Sequence, residues 1–213
     1  MRHDLVWLSV AGWGAARDRA APEHRDAILR WQREDWPAIV RRSDADAGPN
    51  QVCLGIALPP HQTGIKPRIA LRAPASSVVK TAPALALQAL LATGPKKWQK
   101  KLGALLADSG ELTIRVYGSL ALQAVTGQTY ISPASDIDLL FFPSTLHQLR
   151  SGLDLLAWHA RSLPLDGEIV FPGGPAVAWR EWLRAEASND RVLVKEQNAV
   201  RLAACASLRA TLA

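Results

Sequence analysis

The chain has 213 residues, of which 48% are hydrophobic and 21% charged, a balance typical of a folded protein. This length suits one large domain or two small ones, each with its own core. The formal charge is +6 and the pI about 9.7, so the composition predicts an anionic partner or substrate. These totals exclude an intrinsically disordered chain, but they do not distinguish nucleic acid, phosphorylated small molecules and acidic proteins.

The two cysteines and the apolar segments indicate where the protein works. Cys53 and Cys205 lie far apart and outside any CxxC or Cys/His cluster, so we expect no disulfide framework, no zinc site and a reducing, cytoplasmic location. Asp4 stands where a secretion signal would be positively charged. Residues 116–135 carry no charge, but Ser, Gln, Thr, Gly and Pro interrupt them, so no membrane span is predicted.

The chain contains eight tryptophans, many for its length. Large aromatic side chains dominate core energetics, so we expect most of the eight to be core anchors. One or two remain candidates for lining a site.

Residues 1–80 are predicted to form a small α+β domain. Residues 4–10 are interpreted as a strand followed by a turn, and residues 23–42 as an amphipathic helix that Pro37 ends or redirects. Two further short strands, with a Pro/Gly-rich loop between them, are predicted at residues 51–58 and 68–71.

Residues 81–213 are predicted to form a second domain, with helical patterns at residues 83–91 and 96–107. The second helix begins with four lysines, and cations at a helix N-terminus oppose the helix dipole. This cluster is therefore either a solvated face or a surface that binds an acidic partner. Its members are Lys96, Lys97, Lys100 and Lys101.

The most informative stretch begins at residues 112–117, where apolar and polar residues alternate as in a strand. Gly118 and Ser119 end this strand, and the following LALQAV predicts a short helix. Backbone N–H groups at the start of a helix bind phosphate, and the Ser119 hydroxyl adds a further donor. Gly118 allows the backbone to approach an anion closely.

Asp136 and Asp138 lie at the start of the segment DIDLLFF, whose apolar run is typical of an interior strand. Positions i and i+2 of a strand point to the same face, so the two carboxylates project together. Like charges at this spacing repel, and a divalent cation such as magnesium would compensate them. The alternative is a pair of solvent-facing aspartates at a strand end.

A third carboxylate is expected in residues 163–171, LPLDGEIVF, because such sites commonly need one to activate the nucleophile or complete a metal site. In this predicted strand the apolar residues and Gly167 occupy one face, and Asp166 and Glu168 the other. The pleat does not choose between these two. We favour Asp166 and expect both near the site.

A strand, Gly-Ser, a helix, Asp-x-Asp on a strand and a later strand carboxylate resemble the nucleotidyltransferase superfamily, the group of DNA polymerase β. More specifically, YGSLALQAVTGQTYISPASDIDLLF is similar to the signature of the malonate decarboxylase holo-[acyl-carrier-protein] synthases, the phosphoribosyl-dephospho-CoA transferases. The segments RHDLVWL, WPAIVRR and DGEIVFPGGPAVAWREW are similar to that family as well, so the resemblance spans nearly the whole chain.

The resemblance implies a fold and a reaction. A small N-terminal α+β domain, contacting substrate or carrier, would precede a polymerase β-like domain with a mixed sheet flanked by helices. The enzyme would transfer phosphoribosyl-dephospho-CoA from its triphosphoribosyl precursor to a serine of the malonate decarboxylase apo acyl carrier protein, releasing pyrophosphate. Asp136, Asp138 and Asp166 would hold Mg²⁺, Gly118 and Ser119 would bind the phosphates, and Asp166 or Glu168 would act as base.

Further residues are candidates for binding this anionic donor. For a basic candidate, the alternative is a surface cation beside a carboxylate such as Glu181 or Glu196. For an aromatic candidate, the alternative is core packing. Tyr117 is a candidate to stack on the adenine. The basic candidates are Arg180, Lys195 and, at the predicted end of the N-terminal helix, Arg41 and Arg42.

Two other functions remain open from the sequence. One is a nucleotidyltransferase that uses a nucleoside triphosphate and a small-molecule or protein acceptor. The other is a non-enzymatic, basic nucleic-acid-binding module, which would need cations interleaved with exposed aromatics and is not expected here. Within the resembling family, the carrier of citrate lyase is an alternative acceptor.

Overall fold

The computed structural model describes residues 1–61, 66–188 and 190–213. The chain divides into an N-terminal unit, Met1–Ala84, and a C-terminal unit, Leu85–Ala213. Each contains helices and one sheet, so the predicted α+β class is confirmed.

The N-terminal unit contains β1 (Leu5–Leu8), α1 (Val10–Arg19), α2 (Arg25–Arg33), β2 (Ala38–Val40), β3 (Gln51–Ala57), β4 (Arg68–Pro74) and β5 (Val78–Ala82). Its sheet is antiparallel, in the order β4-β3-β2-β1-β5. The core joins Trp13 of α1 and Trp31 of α2 to strand residues such as Leu54. β3 and β4 confirm two predicted strands, whereas the predicted loop between them includes residues 62–65, which lie outside the described residues.

The turn predicted after β1 is wrong, because helix α1 begins there. The Ser9 side chain caps this helix by accepting from the Gly12 N–H at 3.1 Å. A Cβ at Gly12 would lie 2.7 Å from the Ser77 Cβ, so the glycine is required by packing rather than by a turn. Ser77 is remote in sequence, and for that reason the local pattern was misleading.

The helix predicted over residues 23–42 is correct only as far as Arg33. Asp35 adopts a left-handed conformation with φ +51°, which ends helical geometry. Trp31 Nε1 then donates to the Pro37 carbonyl oxygen at 3.1 Å, and Ala38 pairs with β1. Arg41 and Arg42 therefore follow a strand, and their predicted place at a helix end is wrong.

The C-terminal unit contains five α-helices and seven strands among its described residues, besides one 3₁₀ helix. They are β6 (Leu85–Ala86), α3 (Lys96–Ser109), β7 (Ile114–Tyr117), α4 (Gly118–Thr126), β8 (Ile137–Phe141), α5 (Leu146–His159), β9 (Leu165–Val170), β10 (Ala176–Ala178), α6 (Trp179–Ser188), β11 (Arg191–Lys195), β12 (Val200–Ala204) and α7 (Cys205–Arg209). The helix predicted at residues 83–91 is wrong, because this segment pairs with β7 as β6 and then makes a 3₁₀ turn.

The seven strands of this unit lie in the order β12-β11-β10-β9-β8-β7-β6. β8 and β9 are parallel and the other neighbouring pairs antiparallel, which confirms the predicted mixed sheet. On one face, Val116, Leu139 and Ile169 share a hydrophobic cluster with residues of α3 and α5. Strand side chains alternate, so the residues between them project from the opposite face.

Most tryptophans are buried, as predicted: Trp13, Trp31, Trp98, Trp179 and Trp182 are each at most 5% exposed. Trp158 is the opposite case, with 63% of its surface exposed. Among the described residues, no helix combines the length and apolar character needed to cross a membrane.

Candidate active site

The Gly-Ser turn brings the start of a helix against a carboxylate. β7 ends at Tyr117, which pairs with Asp138 of β8, and α4 begins at the next residue. Gly118 has φ +69°, and a Cβ at this position would lie 1.9 Å from Asp138 Oδ2. Only glycine satisfies both conditions, because it has no Cβ and tolerates a left-handed backbone. Ser119 follows in the first turn of α4.

The predicted carboxylates meet through the pairing of β8 with β9. Asp138 lies opposite Asp166 in these parallel strands, so both side chains project from the same face. Asp138 is half-buried and Asp166 exposed. Asp136 directly precedes β8 and is also exposed. Across the described residues, the structure assembles no group of three or more His, Cys, Asp or Glu side chains suited to a metal ion.

The glycine between the two candidate acids of β9 allows the strands to approach. Gly167 has φ +136°, and a Cβ there would lie 1.9 Å from the Leu139 carbonyl oxygen. Any other residue would collide with the backbone of β8. Gly167 therefore maintains the register in which Asp166 stands beside Asp138.

Glu168 has a different environment from Asp166, although the two residues share a face of β9. Its side chain is 5% exposed and lies 2.8 Å from Lys195 Nζ, whose side chain is 36% exposed. In the parallel register Glu168 is opposite Leu140 rather than an aspartate. Buried carboxylates are normally paired in this way, so the negative charge of Glu168 is balanced within the fold.

Arg180 stands beside the predicted third carboxylate. Its Nη2 donates to the carbonyl oxygen of Leu165, the residue before Asp166, at 3.0 Å. Its guanidinium carbon lies 4.4 Å from the ring centre of Trp179, which is buried as core packing requires. The suggested carboxylate partner Glu181 instead accepts from the Leu193 N–H at 2.7 Å. Arg180 therefore combines an exposed position with a hydrogen bond to the start of β9.

Family models match nearly the whole chain. Residues 1–84 match the phosphoribosyl-dephospho-CoA transferase MdcG N-terminal domain, and residues 84–206 match the C-terminal domain of the same family. A phosphoribosyl-dephospho-CoA transferase of Xanthomonas campestris pv. campestris (strain 8004) is 40% identical over 205 residues, covering 94% of this chain and 92% of the relative. One of Bradyrhizobium diazoefficiens is 39% identical over 185 residues, covering 84% and 80%.

The chain belongs to the phosphoribosyl-dephospho-CoA transferase family. The resemblance seen in its sequence is thereby confirmed, and the chain is an enzyme rather than a non-enzymatic nucleic-acid-binding module. No solved structure matches it.

Arg41, one of the two N-terminal cations that the sequence suggested for this transferase, belongs to an ion network of the N-terminal unit. Arg41 binds Asp44 through both terminal nitrogens, at 2.5 and 2.6 Å, and Arg72 Nε reaches the same carboxylate at 2.7 Å. The hydrogen bond from Arg41, with that from Arg72, holds the pKa of the Asp44 carboxyl far below its usual range. Arg42 is exposed, and its carbonyl oxygen accepts from Arg41 Nη1 at 3.2 Å.

One cation on the carboxylate face was missed in the sequence. Arg115 of β7 pairs with Leu140, and it shares the strand face of Tyr117 because the two are separated by one residue. It is half-buried. The signal was present in the alternation of residues 112–117, in which Arg115 is the charged member of the non-core face.

Proposed function

We propose that this transferase moves the phosphoribosyl-dephospho-CoA group from triphosphoribosyl-dephospho-CoA to a serine of the malonate decarboxylase apo acyl carrier protein, releasing pyrophosphate. The observation that carries the proposal is the pair Asp138–Asp166, in register on neighbouring strands, with Asp138 directly against the Gly118 turn. Paired carboxylates beside a phosphate-binding helix start are suited to phosphoryl transfer from a polyphosphate.

The reaction exchanges one phosphorus–oxygen bond for another. The acceptor serine Oγ forms a bond to the α-phosphorus, the bond from that phosphorus to the bridging oxygen of the β-phosphate breaks, and pyrophosphate leaves. The serine proton needs an acceptor within hydrogen-bond reach. Asp166 suits this role better than Glu168, because Asp166 is exposed and Glu168 is buried against Lys195.

The carboxylates also fit a magnesium ion. Mg²⁺ prefers oxygen ligands and is commonly held by one or two carboxylates together with substrate phosphates and water. Asp138 and Asp166 would hold it as a pair. Asp136, two residues before Asp138, stays a predicted third ligand, which the described residues do not bring into a three-residue metal group. When bound, the ion would neutralise negative charge on the triphosphate.

The remaining residues would bind and orient the donor. The first N–H groups of α4 and the Ser119 hydroxyl are suited to the departing phosphates. Arg180 is suited to a phosphate oxygen near Asp166, because its guanidinium is exposed and fixed over Trp179. Lys195 would add positive charge next to the same face, and Tyr117 would stack on the adenine.

Intact-mass spectrometry of the acceptor tests the proposal. The purified apo carrier of malonate decarboxylase is incubated with the enzyme, triphosphoribosyl-dephospho-CoA and Mg²⁺, in parallel with the apo carrier of citrate lyase. We expect the malonate decarboxylase carrier to gain one phosphoribosyl-dephospho-CoA and an equal amount of pyrophosphate to appear. Faster labelling of the citrate lyase carrier would reassign the acceptor.

A second arm replaces the donor with ATP or CTP while the carrier is kept. The proposal requires that neither nucleotide labels the carrier at a comparable rate. Efficient nucleotidyl transfer from ATP or CTP would favour the alternative of a nucleoside triphosphate donor.

The two buried cysteines form no disulfide, which agrees with a reducing cytoplasm as the place where this reaction occurs.

A further inference from the structure

A second cluster of positive charge lies on the C-terminal unit, where the start of α3 meets the end of α5. Lys97 and Lys101 are four residues apart on α3, so they occupy one row of that helix, and both are exposed. Lys101 Nζ donates to the Ser162 carbonyl oxygen, just after α5, at 3.0 Å. The neighbouring Arg161 guanidinium lies 5.0 Å from the ring centre of Trp158. We call Lys97, Lys101, Trp158 and Arg161 the basic–aromatic surface.

The charges of this surface are not balanced within the fold. In the part of the chain that the structure describes, Lys97, Lys101 and Arg161 have no carboxylate within salt-bridge distance. Arg201, another exposed arginine of the same unit, is by contrast paired with Glu196 at 2.8 Å. Unpaired cations on one patch attract an acidic partner and accelerate its association.

Trp158 gives the same patch an apolar anchor. Its side chain is 63% exposed, whereas five other tryptophans of the chain are buried. Tryptophan and arginine are the residues most enriched among those that dominate protein–protein binding energy. Arg161 is both stacked on this ring and exposed, so the two side chains present one rigid contact.

The basic–aromatic surface lies near the same end of the sheet as the candidate active site, although α3 and α5 pack on the sheet face opposite the carboxylates. Ser162 precedes Asp166 by four residues, so their α-carbons are at most about 14 Å apart. The Thr93 carbonyl oxygen, just before α3, accepts from Gln123 Nε2 of α4 at 3.2 Å. α4, which starts at Gly118, therefore contacts the segment before α3, and β9 begins three residues after Ser162. A standard interface buries about 800 Å² per partner, enough to cover both.

We propose that the basic–aromatic surface docks an acidic face of the acceptor protein while its serine reaches the Asp138–Asp166 pair. The inference rests on the proposed function, because it assumes a protein acceptor. A serine on a folded protein offers few contacts of its own, so a second contact must supply affinity and orientation. Lys97, Lys101 and Arg161 provide the charge complementarity, and Trp158 provides an apolar anchor that becomes buried when the acceptor docks.

The test uses the full chain and three variants. The double variant Lys101→Glu/Arg161→Glu reverses the charge, and Trp158→Ala removes the anchor without touching the Lys101 hydrogen bond. The matched control is Arg150→Glu, an exposed cation near the beginning of α5, about 18 Å along the helix and loop from Ser162. Thermal unfolding of each variant checks that it is folded. KM is measured separately for apo acceptor and for donor, and enzyme–acceptor binding is measured without donor at low and high salt.

We expect each surface variant to raise KM for the acceptor about tenfold, with KM for the donor unchanged, and the control to behave as the wild type. Wild-type binding should weaken at high salt, and the double variant should lose that salt dependence. Equal effects on both KM values would mean that the surface binds donor phosphates and would overturn the proposal. Variants that label and bind the acceptor as the wild type does would overturn it as well.

Failure of the proposed function gives a different result. A wild-type enzyme that binds apo acceptor through this surface but never labels it would reject the reaction and retain the docking surface. A wild-type enzyme that neither binds nor labels the acceptor would reject both.

Discussion

Two aspartates of this transferase, one in each unit, have opposite electrostatic environments. Asp44 of the N-terminal unit is held by Arg41 and Arg72 at 2.5 to 2.7 Å, so its charge is neutralised inside the fold. Asp166 of the C-terminal unit is exposed, and no cation of the described residues lies within salt-bridge distance of it. The first arrangement stabilises a loop, whereas the second keeps a carboxylate available.

The same contrast occurs within β9 over two residues. Glu168 is buried and paired with Lys195, whereas Asp166 is exposed and stands in register with Asp138. Two like charges placed side by side repel each other, and a bound divalent cation would reduce that repulsion. The comparison teaches that an exposed carboxylate in register with a second one is a better candidate for chemistry than a carboxylate buried against a cation.

The largest expected effect comes from Asp166→Asn. The substitution keeps the size of the side chain and removes its charge, so we expect the transfer rate to fall about 10²–10⁴-fold if Asp166 is the base. Thermal unfolding should change little, because the side chain is exposed and unpaired. Single-turnover labelling of the carrier measures the rate. Activity near that of the wild type would remove Asp166 from the chemistry.

The next effect uses two glycines with nearly the same positive φ, 69° at Gly118 and 68° at Gly127. Gly118→Ala and Gly127→Ala both place a Cβ at φ near +70°, which costs about 1–2 kcal/mol of folding free energy in each case. Only at Gly118 would that Cβ collide with Asp138, since nothing lies within 4 Å of the one at Gly127. We therefore expect similar backbone strain but loss of transfer in Gly118→Ala alone. Equal activities in the two variants would contradict the contact between turn and carboxylate.

A smaller effect is expected from Glu168→Gln. The substitution leaves Lys195 without its buried partner, and since Lys195 is partly exposed, the loss of folding free energy should be about 1 kcal/mol. We expect transfer to fall about tenfold, because a neighbouring cation loses its fixed position while Asp166 is untouched. Comparison with Asp166→Asn in the same labelling assay decides the ranking. A larger loss in Glu168→Gln would exchange the roles of the two residues.

The smallest effect on catalysis is expected from Asp44→Asn. It should lower the free energy of unfolding by about 1 kcal/mol at neutral pH and leave the transfer rate of the folded enzyme unchanged. The hydrogen bond from Arg41 lowers the pKa of folded Asp44, so its stabilisation is complete above the unfolded value near about 4 and is lost as the pH falls further.

Denaturant unfolding of wild type and Asp44→Asn across the pH range checks this sign. The difference between them should be constant from neutral pH to about pH 5 and should shrink below about pH 4. A difference that grows on acidification would show that the Asp44 charge does not stabilise the fold.

The alternation of apolar and polar residues within single segments was sufficient to predict the strands of the candidate site and the faces of their side chains. The alternation before Gly118, the apolar run after Asp136 and the two faces of residues 163–171 all follow from the period of two in a strand. The glycine at the strand–helix turn was predicted because phosphate sites need close backbone approach. These predictions use neighbours within a few residues.

Features that depend on distant partners could not be predicted in this way. Nothing in the local sequence states that Glu168 meets Lys195, or that Arg41 meets Asp44 and Arg72 across neighbouring strands. The parallel register that sets Asp138 opposite Asp166 is likewise a property of the assembled sheet. The sequence therefore predicted the residue types of the candidate site, and the fold determines which of these side chains are exposed and which are paired.

We propose above all that the Asp138–Asp166 pair would hold a metal ion bound to the triphosphate. The most direct measurement is a Mg²⁺ titration of single-turnover carrier labelling with wild type and Asp138→Asn, each also measured in EDTA. We predict saturable Mg²⁺ dependence for the wild type, no labelling in EDTA, and no recovery of Asp138→Asn at any Mg²⁺ concentration. Wild-type labelling that persists in EDTA, or a folded Asp138→Asn variant with the same Mg²⁺ dependence and rate, would contradict the claim.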